Sequence, residues 1–306
     1  MSTTLERAAK ALLDHYGDRN PGGFSDTDLP RVRYFFTDAY APRTPLHYPP
    51  GLAIILSGKK IGYLDGRRFE YGAGSYLAVG LPLVFECETH ASPDVPMFGL
   101  FLELCPTMLS ELGAVLPMQE GKHKHHATHQ GVEPLIVKPP MAEAVGRLVD
   151  QLCQPPQAKA LGSGTLREIL FHALSDDHGR VLLALTQLGQ PEARIANLLR
   201  WAETQGNAPL DTETLAGQAG MSPATLHRYF RSVTGYPPLQ YFKRQRLLRA
   251  REFLTAHQMT VAQAAHSIGY GDPTNFSRDY RKLFGYPPSH ERQVAAKLLS
   301  NTQSRL

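Results

Sequence analysis

Arg228 and Arg278 stand 50 positions apart, within two segments that repeat one another. The first runs Ser222-Pro-Ala-Thr-Leu-His-Arg-Tyr-Phe-Arg-Ser-Val-Thr-Gly-Tyr-Pro-Pro238, the second Asp272-Pro-Thr-Asn-Phe-Ser-Arg-Asp-Tyr-Arg-Lys-Leu-Phe-Gly-Tyr-Pro-Pro288. Pro223 aligns with Pro273, Leu226 with Phe276 and Gly235 with Gly285. A guanidinium presents paired N–H donors in a fixed fork, which fits the O6/N7 edge of guanine and also the oxygens of a phosphate. Thr225, Thr274 and Ser277 add hydroxyls beside the arginines, and His227 adds an imidazole. Such groups read base edges, and their duplication predicts two grips on one duplex.

Other chemistries find less support. His123, His125, His126 and His129 lie in one loop, and the i, i+4 spacing of His125 and His129 suits a metal. Lys122 and Lys124 oppose a cation there, Glu120 is the only nearby carboxylate, and a solvated basic loop is expected. A catalytic β-barrel with a metal needs clustered histidines on paired strands, yet the strand region offers only His47 and His90, 43 residues apart. Gly72-Ala-Gly74 lies between strands rather than between a strand and a helix, so it is no dinucleotide fingerprint. No nucleophile elbow or P-loop occurs, no catalytic residue is assigned, and no cofactor is expected. Cys87, Cys105 and Cys153 are odd in number and lack metal spacing, which predicts reduced thiols.

Helices must position the DNA-reading groups. Ser222 and Asp272 each precede a proline, an N-cap followed by the residue suited to the first helical position. Leu226, Tyr229, Phe230 and Val233 then share one face of the first helix, leaving Ala224, Thr225, His227, Arg228 and Arg231 on the other. In the second copy Phe276, Tyr280 and Phe284 turn inward while Thr274, Asn275, Ser277, Arg278 and Arg281 turn outward. Leu239, Phe242, Leu247, Ala250 and Leu254 give the connecting segment the apolar stripe of one long helix. A rigid connector would set the two reading helices about one DNA turn, ~34 Å, apart. Arg231, Arg244, Arg246, Arg281 and Lys282 are expected on phosphates, where they set affinity and salt dependence rather than sequence.

Charge follows the same division. Residues 195–306 hold 14 Lys/Arg against 7 Asp/Glu, whereas residues 1–194 hold 18 against 21. Only the C-terminal part suits a polyanion. Before it, short runs rich in β-branched and aromatic residues, such as Leu52–Ser57, Arg67–Tyr71 and Leu83–Glu88, alternate with turns. Asp65-Gly66 is a two-residue hairpin signal, and about seven such strands suggest a barrel or sandwich. Phe69, Tyr71, Tyr76 and Phe85 are expected either to line an effector pocket or to fill a closed core. Helical periodicity resumes at Thr107–Leu116, Met141–Leu152 and Leu166–Leu174. No apolar run reaches membrane-spanning length and no signal peptide opens the chain, so a cytoplasmic protein without a membrane partner is expected.

The C-terminal region resembles the AraC/XylS family of bacterial transcription regulators. Gly269-Tyr-Gly-Asp272, Phe276-Ser-Arg278, Tyr280-Arg-Lys-Leu-Phe-Gly285 and Pro288 are similar to that family's signature. By position the resemblance assigns base reading to Ala224, Thr225, His227 and Arg228, and to Pro273, Thr274, Ser277 and Arg278. Pro273 and Ala224 can offer only apolar contact. Tyr48-Pro-Pro-Gly-Leu-Ala-Ile-Ile-Leu-Ser-Gly-Lys-Lys60, Phe69-Glu-Tyr-Gly-Ala-Gly-Ser-Tyr76, Leu81-Pro82 and Ala91-Ser-Pro93 look like the N-terminal domain of one AraC-type subgroup. That resemblance implies a cupin-like β-barrel with flanking helices, and a small-molecule effector related to alcohols or aldehydes.

The expected architecture is therefore α+β and multidomain. Residues 1–180 would form the cupin-like sensor or dimerisation domain, 181–192 a linker, 193–295 an all-α tandem helix-turn-helix domain, and 296–306 a tail. The two motifs would occupy about 211–234 and 260–284. The expected function is a sequence-specific transcription regulator, an effector-responsive activator that binds promoter DNA and, as the resemblance implies, RNA polymerase, with a homodimer compatible. The alternative is a metal- or ligand-binding cupin-type enzyme, or a metal sensor, anchored to DNA by its helical tail.

Overall fold

The computed structural model describes residues 2–20, 22–116, 131–176, 182, 191–206 and 210–294. Two antiparallel sheets build the N-terminal part. The strands are β1 (Phe24–Asp26), β2 (Val32–Thr37), β3 (Ala41–Tyr48), β4 (Gly51–Ser57), β5 (Lys59–Leu64), β6 (Arg67–Gly72), β7 (Ser75–Val79), β8 (Leu83–His90), β9 (Met97–Glu103) and β10 (Val132–Ile136). One sheet has the order β1-β2-β9-β4-β7-β10, the other β3-β8-β5-β6. The expected barrel is thus two separately bonded sheets rather than one closed cylinder, within the α+β architecture that the sequence implied.

Layering explains why β4 reads as a continuous apolar run. Ala53 and Ile55 face the second sheet, among Leu77, Phe85 and Phe101. Leu52, Ile54 and Leu56 face helices instead. Those helices are α1 (Thr3–Tyr16), α2 (Pro106–Val115), α3 (Pro139–Leu152) and α4 (Pro155–Leu174). A sheet buried on both faces has no polar side to alternate with. Helix α4 begins 11 residues before the periodic segment Leu166–Leu174. Gly162 hides that first part from a propensity reading, but a Cβ there would lie 2.7 Å from a Leu29 methyl carbon. Close packing, not helix preference, selects this glycine.

β3 and β10 were illegible for a related reason. Pro42, Pro45 and Pro134 argue against strand because proline donates nothing to a ladder. Both strands lie at sheet edges, where a missing donor is tolerated.

The C-terminal part is helical: α5 (Pro191–Thr204), α6 (Thr212–Ala219), α7 (Pro223–Thr234), α8 (Pro238–Thr255), α9 (Val261–Ser267) and α10 (Pro273–Phe284), closed by a 3-10 turn at Pro288–His290. Helix α8 belongs to two cores. Tyr241 and Phe242 join Leu226 and Phe230 of the first motif, while Leu247, Ala250 and Leu254 join Ala264, Ile268, Phe276 and Tyr280 of the second. Leu239, expected in the buried stripe, is exposed, and Tyr241 takes its place.

The first motif also packs on the second sheet. The Tyr241 hydroxyl donates to the Pro82 carbonyl at 2.7 Å. The Gly131 N–H donates to Val233 O at 2.7 Å, satisfying a carbonyl that the last turn of α7 leaves open. Gly235 ends α7 with φ +77°, and a Cβ there would lie 2.6 Å from Leu64 Cδ1. Gly235→Ala should therefore destabilise the protein by about 1–2 kcal/mol from the left-handed backbone alone, with the Leu64 contact adding to it. Chemical denaturation of the full chain reads that loss, and an unchanged midpoint would show that this close approach is not made.

Candidate nucleic-acid interface

Each reading helix is fixed by its own caps. Ser222 Oγ accepts from the Thr225 N–H at 3.3 Å, and Asp272 Oδ1 accepts from the Thr274 N–H at 2.8 Å. Before them, Asp211 caps α6 and Thr260 forms a reciprocal capping box with Gln263 at the start of α9. Gly220 and Gly269 make the turns at φ 61° and 83°. Both motifs therefore have the expected helix–turn–helix form.

The apolar faces anchor these helices and dictate what remains outside. Leu226, Phe230, Phe276 and Tyr280 are each fully buried. Ala224, His227, Arg228, Pro273, Thr274 and Arg278 are exposed, as base reading requires. Thr225 and Ser277 are half-buried. Thr225 is further engaged with its cap, since Ser222 Oγ donates to Thr225 Oγ1 at 2.9 Å. Arg228 lies over the Tyr229 ring at 4.9 Å, while Arg278 donates to Asn275 Oδ1 at 2.8 Å. The structure thus puts both arginines at equivalent, supported places on two exposed helix faces.

The expected phosphate ligands divide into two groups. Arg281 and Lys282 are exposed at the end of α10, and Arg246 is half-buried on α8. Arg231 and Arg244 turn toward the N-terminal domain instead. Arg231 Nη2 is 3.2 Å from Asp65 Oδ1, in the β5–β6 turn. Arg244 lies 4.4 Å over the Tyr236 ring, with Nη1 at 3.8 Å from Glu86 Oε1. Two carboxylates of the N-terminal domain thus face two of the arginines expected on phosphate. The charge pattern of α7 and α8 carried no sign of this, because the partners lie more than 150 residues away in sequence.

The candidate effector residues also divide. Phe69, Tyr71 and Phe85 lie between the sheets, with Phe69 and Phe85 ring centroids 5.6 Å apart. Tyr76 turns to the other face of its sheet, toward the helices. There it lines a small cavity of about 130 Å³ with Lys138, Met141, His172 and Asp176. A residue the sequence reading missed joins the inner group: Lys60, on β5, faces Tyr71 and Thr89 across its two ladders. Its signal was register alone, since Lys60, Gly62 and Leu64 alternate with Lys59, Ile61 and Tyr63.

His123, His125, His126 and His129 lie outside the described residues. Among the described residues no group of three or more His, Cys, Asp or Glu could hold a metal ion, and no helix is long and apolar enough to cross a membrane. Cys87 is buried, and burial pushes its thiol up. It is a packed thiol and not an exposed nucleophile.

Residues 28–181 match the family of the AraC-type transcriptional regulator N-terminus, which accounts for half of the chain, and residues 215–293 match a helix-turn-helix domain family. This chain belongs to the AraC-type transcriptional regulators. Among AraC-type relatives, the HTH-type transcriptional activator RhaS of Escherichia coli O1:K1 is 30% identical over 192 residues, covering 60% of this chain and 64% of RhaS. RhaS of Klebsiella pneumoniae strain 342 is 35% identical over 147 residues, covering 45% of this chain and 51% of that protein. The match thus spans less than two thirds of these relatives. Among solved structures, an apo ToxT variant from Vibrio cholerae superposes with TM-score 0.57 at 10% identity, over 88% of this chain and 99% of ToxT. Unsaturated fatty acid bound wild-type ToxT from the same strain gives TM-score 0.57, also at 10% identity, over 85% of this chain and 93% of that one. At such identity ToxT shows the shared two-part α+β fold.

Proposed function

We propose that this AraC-type chain is a sequence-specific transcription regulator that grips promoter DNA with α7 and α10 in successive major-groove segments and answers to a small molecule held by its N-terminal domain. The observation that carries this reading is the duplication in space of an exposed arginine-and-hydroxyl face on a capped, buried-backed helix. Arg228 and Arg278 read bases, with His227, Thr274 and Ser277 beside them. Ala224 and Pro273 make apolar contacts, and Thr225 serves the cap as much as the groove. Arg246, Arg281 and Lys282 hold phosphates. Residues 1–180 act as sensor and 193–295 as reader, in the cytoplasm where the promoter lies.

Two names among the relatives support the finer parts of this reading. RhaS is named a transcriptional activator, which favours activation through RNA polymerase over simple occlusion. ToxT is described with a bound unsaturated fatty acid, which favours a ligand-responsive N-terminal domain. A homodimer is compatible with this assignment and is not required by it.

The test is selection of genomic fragments by the purified full chain at fixed physiological salt. Two short conserved blocks about one helical turn apart, ~10 base pairs centre to centre, are the expected result. Binding that stays sequence-blind with and without cell extract would sink the reading.

Asp65 and Glu86 give the regulation a handle. While they hold Arg231 and Arg244, those guanidiniums are not free for phosphate. The first pair is exposed and the second half-buried, and ion pairs near the surface contribute about 0.2–1 kcal/mol each. Neutralising both partners, as in Asp65→Asn with Glu86→Gln, should therefore tighten DNA binding about 2- to 30-fold and steepen its salt dependence. Fluorescence anisotropy across a salt series measures both quantities. Unchanged affinity and slope would mean that neither arginine reaches the backbone.

A further inference from the structure

Lys60 is a cation to which the described residues offer no counter-ion. Its direct cross-strand neighbours are Tyr71 on β6 and Thr89 on β8, which are 2% and 4% exposed. Directly opposed residues point to the same side of a sheet. The Lys60 side chain therefore enters the space between the sheets, with Cys87 two positions from Thr89 on the same side. The acids of these strands lie on the opposite side: Glu70 and Glu88 face Ile61, and Glu86 faces Tyr63. Lys59, the adjacent cation, pairs with Glu70 at 3.4 Å, but no carboxylate among the described residues lies within ion-pair distance of Lys60.

What surrounds Lys60 is aromatic and hydroxylic. Its Nζ is 6.0 Å from the centroid of the Tyr48 ring. The Tyr48 and Tyr71 hydroxyls are 2.8 Å apart, and Cys87 Sγ lies 3.2 Å from the first and 3.7 Å from the second. Tyr48 stacks on Phe85 with centroids 4.3 Å apart, and Phe69 stacks on Tyr71 at 6.1 Å. Burial pushes the Lys60 amine down and both phenols up, so the tyrosines stay protonated and can donate. Lys60 is half-buried, and a partly covered ammonium with no carboxylate beside it is stabilised by a bound anion. Two phenols able to turn their protons toward the same anion would supply charge-assisted hydrogen bonds. Apolar walls add a demand of their own: the anion must carry an apolar body.

We propose that Lys60, with the hydroxyls of Tyr48 and Tyr71, binds the carboxylate of a small monocarboxylic acid between the two sheets, and that this acid is the effector. The inference rests on the reading of the N-terminal domain as an effector-binding sensor, and it names the chemical class that the sensor takes. The acid's apolar part packs among Phe69, Phe85 and the β4 and β9 side chains. Occupancy would bear on β3 and β8, the strands whose outer side meets α8 through Glu86 and Arg244.

The experiment is calorimetric titration of the full chain with a panel of linear and aromatic monocarboxylates, each beside the alcohol of the same skeleton. Expected is binding of at least one acid, with its matched alcohol at least tenfold weaker. Lys60→Met should lose at least tenfold in affinity for that acid, and Tyr48→Phe a smaller factor. Lys60→Arg, which keeps the charge, should retain more affinity than Lys60→Met. Melting of each variant without ligand separates a lost site from a lost fold. Acid binding that survives Lys60→Met would overturn the proposal. Alcohols binding as well as acids would overturn it while leaving the sensor reading intact. No binding from either half of the panel at millimolar concentration would count against both.

Discussion

Glu291→Ala is expected to cost the protein about 3–5 kcal/mol, the penalty for leaving one partner of a buried ion pair alone. Glu291 is fully buried beyond the second reading helix. Its Oε1 accepts from Arg251 Nε at 2.8 Å, and its Oε2 accepts from the Tyr280 hydroxyl at 2.5 Å. One carboxylate thus ties α8, α10 and the closing turn together. Burial and the hydrogen bond to Glu291 hold the Tyr280 phenol far above its ordinary range, which keeps it a donor throughout neutral pH. Without Glu291 the Arg251 guanidinium, itself mostly covered, keeps its charge and loses its counter-ion. Differential scanning calorimetry should show the loss, and DNA affinity should fall with it because α10 loses its brace. A Glu291→Ala protein that melts within a degree or two of wild type would show that the clasp contributes little. Glu291→Gln distinguishes charge from shape: it can still accept from Tyr280 but cannot pair with Arg251, so it should also be destabilised, though less than the alanine variant.

Arg228→Ala and Arg278→Ala should each cost about 1–3 kcal/mol of binding to the selected site and relax a single position within it. Arg278 is held from Asn275 and Arg228 by the Tyr229 ring, so both guanidiniums are oriented before DNA arrives. The block contacted by α7 should lose definition in the first variant and that contacted by α10 in the second. Because the two arginines belong to separate helices with separate cores, the double variant should approach the sum of the single losses. Repeating the fragment selection with each variant reads the lost position. Equal weakening toward every sequence, with one unit less salt dependence, would reassign that arginine to a phosphate. Arg281→Ala and Lys282→Ala are the controls expected to behave in that second way.

The helical half was legible because its signals are local. Caps at Ser222 and Asp272, prolines after them, and glycines at 220, 235, 269 and 285 act within one helical turn, and the structure uses each where the repeat put it. The N-terminal half was legible in kind but less so in detail. Strands with β-branched runs and polar turns stood out. β3 and β10 hid behind prolines that only their edge positions excuse, and the first part of α4 hid behind Gly162, which only its contact with Leu29 explains.

Local periodicity and turn chemistry, then, determined the two motifs, the exposed faces of their reading helices and the mixed α+β architecture, since those depend on neighbours within about ten residues. Tertiary structure alone decided three other matters. It turned Tyr76 away from Phe69, Tyr71 and Phe85, because the sheet is covered on both sides and either face of β7 can be apolar. It gave Arg231 and Arg244 acidic partners from the other domain, because docking brings together charges far apart in the chain. And it directed Lys60 between the sheets, because a strand sends alternate residues to opposite faces and pairing register selects which ones meet Tyr71 and Cys87.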